Sequence, residues 1–376
     1  MCCWNFALSE RRKCRRIVTS CISRTRQCRF SQSALFALRY NQANYSDMGH
    51  STCMQRILIV KTTSMGDVIH ALPVLSDLSE AFPSTRIDWM VEEPFADLVR
   101  LHPALNAIVA VNLRSWRKKG IGEIWRQWKA LREQLRGQPY DAVIDLQGLI
   151  KSALLACAAT GPRMGPGFTS AREPLAALFY SRRGRFRSDA HAVERLRELT
   201  SQLLAYPLKP LVRFGIPPAP PRGAGEQPLV WFFHATARAE KAWPVAYWRS
   251  LAQALLAQGC LIQLPWGSDA ERHQAEDIAA GLPGVSVLPK MNLGNLARKL
   301  KEVDLVVGVD TGLVHLSGAL ELPLVALFFA TPQWRYGPRF NPHAISLGDP
   351  GAMPGVGEVL EASLARLPGR TGVGAA

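Results

Sequence analysis

The 376-residue sequence predicts an α/β protein of two doubly wound domains whose parallel sheets face a central cleft. Three observations carry this. Short apolar, β-branched runs such as RILIVK (56–61) and DLVVGVD (304–310) read as strands buried on both faces. Stretches of helical spacing follow each run, so the chain alternates strand and helix. The rhythm stops at residues 207–228, which hold seven prolines, and then starts again. That segment is a stiff linker between an expected domain at 54–206 and another at 229–376.

In the first domain, strand 56–61 is followed by the turn TTSMGD (62–67) and a helix spaced by Val68, Leu72, Leu75 and Leu78. Strand 86–91, a helix near 94–101 and strand 107–112 come next. An amphipathic helix over 121–135 carries Trp125 and Trp128, ahead of strand 141–146 and helix 149–159. In the second domain the expected strands are 228–235, 260–265, 285–289, 304–310 and 323–329. Its expected helices are 245–256, 270–280, 293–300, 312–320 and a closing 357–367. Open parallel sheets bind ligands beyond the carboxyl ends of their strands. The turns at 62–67, 234–241, 266–271 and 310–315 are therefore the candidate sites, and each is polar or contains glycine.

The net charge of +15 favours anionic partners: nucleic acid, acidic lipid or a phosphorylated small molecule. It is unevenly spread, since residues 1–53 hold nine basic and two acidic residues together with six of the eight cysteines. This segment has the Arg- and Ser-rich, acid-poor composition of a transit peptide. The preferred reading is an unstructured extension from a translation start placed too far upstream, with Met54 the true first residue, and the segment is expected to be dispensable. Cys157 and Cys260 lie in apolar stretches, as reduced buried thiols do. No apolar run reaches the roughly 18 residues that span a bilayer.

In the first turn, Gly66 permits close backbone approach to a ligand, and Asp67 is either a helix N-cap or a general base for an acceptor hydroxyl. The turn lacks the glycine pattern of a dinucleotide fold, and no P-loop occurs. In the second domain His234, Thr236, Arg238 and Lys241 leave a strand just before a helix, which suits a diphosphate or a solvated basic turn. Asp310, Thr311 and Gly312 open another helix, whose backbone N–H groups meet anions. His315 lies in that helix's first turn, as a core or a functional histidine. Glu271 either accepts ribose hydroxyls or caps a helix. Arg114, Arg117, Lys118 and Lys119, joined by Lys151, Arg172, Arg182 and Arg183, form a solvated basic face or a site for a multiply anionic acceptor. No Asp-x-Asp pair occurs in 54–376, so no metal and no cofactor are expected.

Several of these segments resemble the lipopolysaccharide heptosyltransferases of glycosyltransferase family 9. They include VKTTSMGDVIHALPVLSD (60–77), RSWRK (114–118), YDAVIDLQGLIKSAL (140–154), AREPLAALFY (171–180), HAVER (191–195), LPWG (264–267), VLPKM (287–291) and VDTGLVHL (309–316). The resemblance runs from Met54 to about residue 330 and favours the enzyme that adds the first heptose. It implies a GT-B fold and an inverting transfer of heptose from ADP-heptose to the inner Kdo of Kdo–lipid A, by a monomer at the cytoplasmic face of the inner membrane. It also implies site roles: Asp67 as catalytic base, with Thr236, Lys241, Glu271, Asp310, Thr311, Gly312 and His315 binding the donor. Ser64, Gly66, Arg114, Arg117, Lys118 and Arg172 form the acceptor side. Ala237 stands where many relatives have a second threonine, and FFATPQWRYGP (328–338) departs from the usual turn. The alternatives are a related heptosyltransferase acting on a different core sugar and a basic nucleic-acid-binding module. No RNA-binding motif supports the latter, and no nucleic-acid partner is expected.

Overall fold

The computed structural model describes residues 54–137, 139–217 and 226–367. The expected extension at 1–53, residues 218–225 of the expected linker and residues 368–376 lie outside the described residues.

Two parallel six-stranded sheets organise the chain. In the first lobe the strands are β1 (Arg56–Val60), β2 (Arg86–Glu92), β3 (Leu105–Val111), β4 (Ala142–Asp145), β5 (Arg163–Pro166) and β6 (Arg182–Gly184), in the order β3-β2-β1-β4-β5-β6. In the second they are β7 (Leu229–Phe233), β8 (Leu261–Leu264), β9 (Val285–Val287), β10 (Leu305–Val309), β11 (Leu324–Leu327) and β12 (Ala344–Leu347), in the order β12-β11-β10-β7-β8-β9. Each sheet therefore reverses direction once, between β1 and β4 and between β7 and β10. Val60 pairs with Asp145 at one reversal and Phe233 with Gly308 at the other. A crevice opens beyond the strand ends at such a point.

The helices of the first lobe are α1 (Met65–Ala81), α2 (Ala96–Val99), α3 (Leu113–Lys118), α4 (Ile121–Arg136), α5 (Ile150–Ala156) and α6 (Ala192–Leu204). Those of the second are α7 (Val245–Ala257), α8 (Asp269–Ala279), α9 (Leu293–Leu300), α10 (Gly312–Ala319), α11 (Gln333–Tyr336) and α12 (Val356–Leu364). Helix α1 follows the predicted spacing, and Val68, Leu72, Leu75 and Leu78 are completely buried. It packs on α6 and, across the lobes, on α10. The resulting apolar core runs from Ile57 and Leu72 in one lobe to Val306 and Leu316 in the other. Helices α3, α4 and α5 cover the opposite face of the first sheet through Trp116, Leu131, Leu135 and Leu155. Arg197 of α6 makes a two-bonded ion pair with Asp77 of α1, at 2.7 and 2.8 Å, and also donates to the carbonyls of Lys209 and Leu211. The start of the expected linker is thereby tied to the first lobe.

Three strands and three helices go beyond the expected elements: β5, β6, β12, α3, α6 and α11. The strands have three or four residues each, with sequences such as RMGP and RRG, so they have no apolar run to announce them. The helix expected near 94–101 resolves into a 3₁₀ turn at Glu93–Phe95 and the single turn of α2. Neither Cys157 nor Cys260 is in a disulfide; the first is half-buried and the second buried.

Candidate active site

The turn after β1 is braced from beneath. Asp145, at the end of β4, accepts hydrogen bonds from Tyr180 and Ser152, each at 2.7 Å, and from the backbone of Gln147 and Gly148. Gln147 Oε1 then accepts from the backbone N–H groups of Thr62 and Thr63 at 3.1 and 3.2 Å. Buried Lys61 donates to the Leu146 carbonyl at 3.2 Å. Burial pushes its ammonium down, while the charges of Asp67 and Asp145 pull it up and Arg172 opposes it. Lys151 Nζ lies 3.5 Å from Thr63 Oγ1. Three cations thus attend the turn, with the half-buried carboxylate of Asp67 at its end and the buried carboxylate of Asp145 beneath it.

Asp67 is not the N-cap of α1. That position belongs to exposed Ser64, and Asp67 sits three residues further on. Its Oδ2 accepts from the Ser64 backbone N–H and hydroxyl, both at 3.1 Å. The carboxylate closes the first turn of the helix reciprocally, and both bonds fall on one oxygen.

Across the crevice, Asp310 ends β10. Its Oδ2 takes the Lys241 ammonium at 2.5 Å and the Thr331 hydroxyl, and its Oδ1 lies 3.1 Å from His315 Nε2. Burial raises the carboxyl, but the His315 contact and the Lys241 and Thr331 bonds outweigh it and hold Asp310 well below the usual carboxylate range. Thr311 caps α10 in an extended conformation. Its Oγ1 is buried without a protein hydrogen-bond partner, as are Thr62 Oγ1 and His234 Nδ1. These orphaned atoms follow β10, β1 and β7, the strands that flank the two crevices. Buried polar atoms are rarely left unpaired, and these three stand at the crevices.

The two turns touch. A Cβ on Gly66 would come within 2.7 Å of His315 Cδ2, and one on Gly312 within 2.4 Å of Met65 Sδ. Neither position has room for a side chain, so glycine sets the separation of the lobes here. Behind the contact lies a histidine cluster that the sequence did not reveal. The His70 ring stacks edge-on against His315 at 4.4 Å and His191 at 5.7 Å. His191 caps α6, accepting from the Val193 N–H at 3.2 Å, and its Nε2 lies 2.9 Å from the Gly337 carbonyl. Burial lowers His191 to about 4 and pushes His70 well down. The histidines belong to three different helix starts, so only the packing of α1, α6 and α10 brings them together.

The remaining expected residues divide. Half-buried Thr236 follows β7 and accepts weakly from the Arg238 N–H at 3.4 Å. Glu271 accepts through Oε2 from Gly267 and Ser268 at 2.7 and 3.3 Å, so it closes the first turn of α8. Its neighbour Trp266 lies beneath the cations of Arg272 and Lys290. Arg172 is exposed beside the first turn, close enough for its charge to act on Lys61. Arg114, Arg117 and Lys118 lie on α3, with Lys118 exposed; the side chains of Arg114 and Arg117 lie outside the described residues. The FFATPQWRYGP turn supplies Thr331, a partner of Asp310 that sequence reasoning missed. Among the described residues, no group of three or more His, Cys, Asp or Glu side chains could hold a metal ion.

The chain matches the family model "Glycosyltransferase family 9 (heptosyltransferase)" over residues 128–359. It is 44% identical over 284 residues to lipopolysaccharide heptosyltransferase 1 of Escherichia coli strain K12, covering 73% of this chain and 88% of that protein. Among solved structures it is similar to E. coli heptosyltransferase WaaC with ADP, with a TM-score of 0.73 and 39% identity over 81% of this chain and 96% of the other. WaaC with ADP-2-deoxy-2-fluoro heptose gives a TM-score of 0.71 and the same identity, over 82% and 97% of the two chains. With its two parallel sheets, its paired crevices and these likenesses, the chain belongs to glycosyltransferase family 9, the heptosyltransferases of lipopolysaccharide core biosynthesis.

Proposed function

We propose that this enzyme transfers L-glycero-D-manno-heptose from ADP-heptose to the inner Kdo of Kdo–lipid A, with inversion at the anomeric carbon. The observation that carries the reading is the meeting of the two turns. Asp67 and its attendant cations stand on one side, and the Lys241–Asp310 pair with the start of α10 stands on the other. In this scheme Asp67 takes the proton from a Kdo hydroxyl as that oxygen attacks the heptose anomeric carbon. The bond to the diphosphate breaks with its electron pair, and ADP leaves. Lys241, oriented by Asp310, and the backbone N–H groups opening α10 meet the negative charge that builds on the leaving oxygen. Lys61, Lys151 and Arg172, with Ser64, Gly66, Arg114, Arg117 and Lys118, form the acceptor side, where cations suit a carboxylated and phosphorylated sugar. Thr236, Glu271, Thr311, Gly312 and His315 hold the donor. A single chain supplies every group, and the lipid-anchored acceptor places the work at the cytoplasmic face of the inner membrane.

The test is to incubate the protein with ADP-heptose and Kdo–lipid A, follow ADP release, and determine the anomeric configuration of the product. ADP release that depends on Kdo–lipid A, with an inverted linkage, is expected. Turnover only with an acceptor that already carries heptose would assign the enzyme to a later core sugar.

A further inference from the structure

The outer surface of the first lobe is unusual for the covering layer of a globular sheet. Helix α4 buries Leu131 and Leu135 against the sheet but turns Ile121 and Trp125 outward, 86% and 65% exposed. The outward stripe continues at helical spacing through exposed Lys129, Arg132 and Arg136. Trp125 is stacked on Trp128 at 5.4 Å, and the Arg132 guanidinium lies over the Trp128 ring. Trp128 Nε1 donates to the carbonyl of Leu154 on α5, itself 46% exposed. Helix α5 is joined in turn to the 3₁₀ helix over Pro174–Phe179, where Glu173 accepts from the Ile150 N–H at 2.7 Å. Leu175 and Leu178 of that helix are 60% and 62% exposed. Arg183 donates to the Ala177 carbonyl and covers the exposed ring of Phe168. Hydrogen bonds and ring contacts therefore join the elements that carry these exposed apolar side chains into one layer. In sequence, residues 113–136 hold eight Lys and Arg against two Glu.

We propose that this layer is a docking surface for an anionic phospholipid bilayer. Large apolar side chains ringed by Lys and Arg suit a bilayer boundary: the rings and aliphatic groups enter the headgroup zone while the cations meet lipid phosphates. Charge complementarity selects this occupant over the chain's own N-terminal segment, which is itself strongly basic with nine Lys and Arg against two acids. The layer also adjoins the reaction turn. Lys151, on the same short helix as Leu154, reaches the hydroxyl of Thr63. A bilayer on this face lies beside the acceptor side of the site. The inference deepens the proposed reaction and rests on it only for the lipid anchor of the acceptor.

The full chain is sedimented with phosphatidylcholine vesicles and with vesicles containing phosphatidylglycerol, beside variants I121E/W125E and L175E/L178E. The wild type is expected to partition onto the anionic vesicles, and each variant to lose roughly tenfold or more in partition coefficient. Thermal stability and turnover of a deacylated, water-soluble Kdo acceptor should stay unchanged in both variants. Equal partitioning of variants and wild type would overturn the proposal. So would failure of the wild type to bind, or light scattering that shows a dimer which I121E/W125E dissolves. Vesicle binding by a protein that turns over neither acceptor would instead refute the reaction and leave the surface standing.

Discussion

Asp67 carries two jobs on one carboxylate: Oδ2 closes the first turn of α1, and the group as a whole is the proposed base. Asp67→Asn keeps the size and an oxygen for Ser64 but removes basicity. It is expected to fold and bind ADP normally by calorimetry, while turnover drops about 10²–10⁴-fold. A few-fold loss would reduce Asp67 to its role in the helix. Lys241→Ala differs, because it also strips Asp310 of its closest cation. Donor affinity and turnover should fall together, with kcat/KM lower by about 10²-fold or more. At this scale the sequence was partly legible. Lys241, Asp310 and Thr311 could be picked out because each follows a strand and precedes a helix. Thr331 and Gln147 could not, since an amide or hydroxyl in a loop acquires meaning only from the backbone it faces.

The elements were more legible than the contacts between them. Core strands declare themselves by apolar runs, whereas β6 and β12 lie at sheet edges, need little burial and leave little trace. The spacing of Val193, Leu196, Leu199 and Leu203 does carry the signal for α6, which the expected elements omit. Joining α1, α6 and α10 creates a pH dependence that no single element holds. Unfolded histidine binds protons below about pH 6.5, but burial keeps His191 neutral down to about 4 and holds His70 neutral as well. The unfolded state therefore gains protons first, and stability falls as pH drops from about 6.5 toward 4. For His191 alone the full effect is on the order of 3 kcal/mol. Melting temperatures measured from pH 7.5 to 5 should decline, and His191→Asn, which keeps an N-cap and removes the ring, should flatten the curve.

At the scale of the whole molecule, the topology makes the site. Both sheets reverse direction at their first and fourth strands, and the two crevices open toward one another. A sequence rhythm of strand and helix predicts such sheets but not which turns meet, since that depends on how the lobes pack. The assembled crevice offers a lysine ammonium and a helix start for the diphosphate. Activity is therefore expected to survive EDTA, measured as ADP release with and without added magnesium. A large loss that magnesium restores would show that the protein's own charges are insufficient.

The two glycines at the seam make the lobes answerable to each other's mutations. A methyl group at position 312 collides with the Cβ, Cγ and Sδ of Met65, so Gly312→Ala should cost about 1–3 kcal/mol of stability. Met65→Gly, which removes the Cβ together with the thioether, should recover part of that loss, and the double variant should depart from additivity. Across the family, positions 65 and 312 should then vary in concert, a bulkier residue at one accompanied by a smaller one at the other. Donor-lobe and acceptor-lobe specificities would have to evolve as a pair.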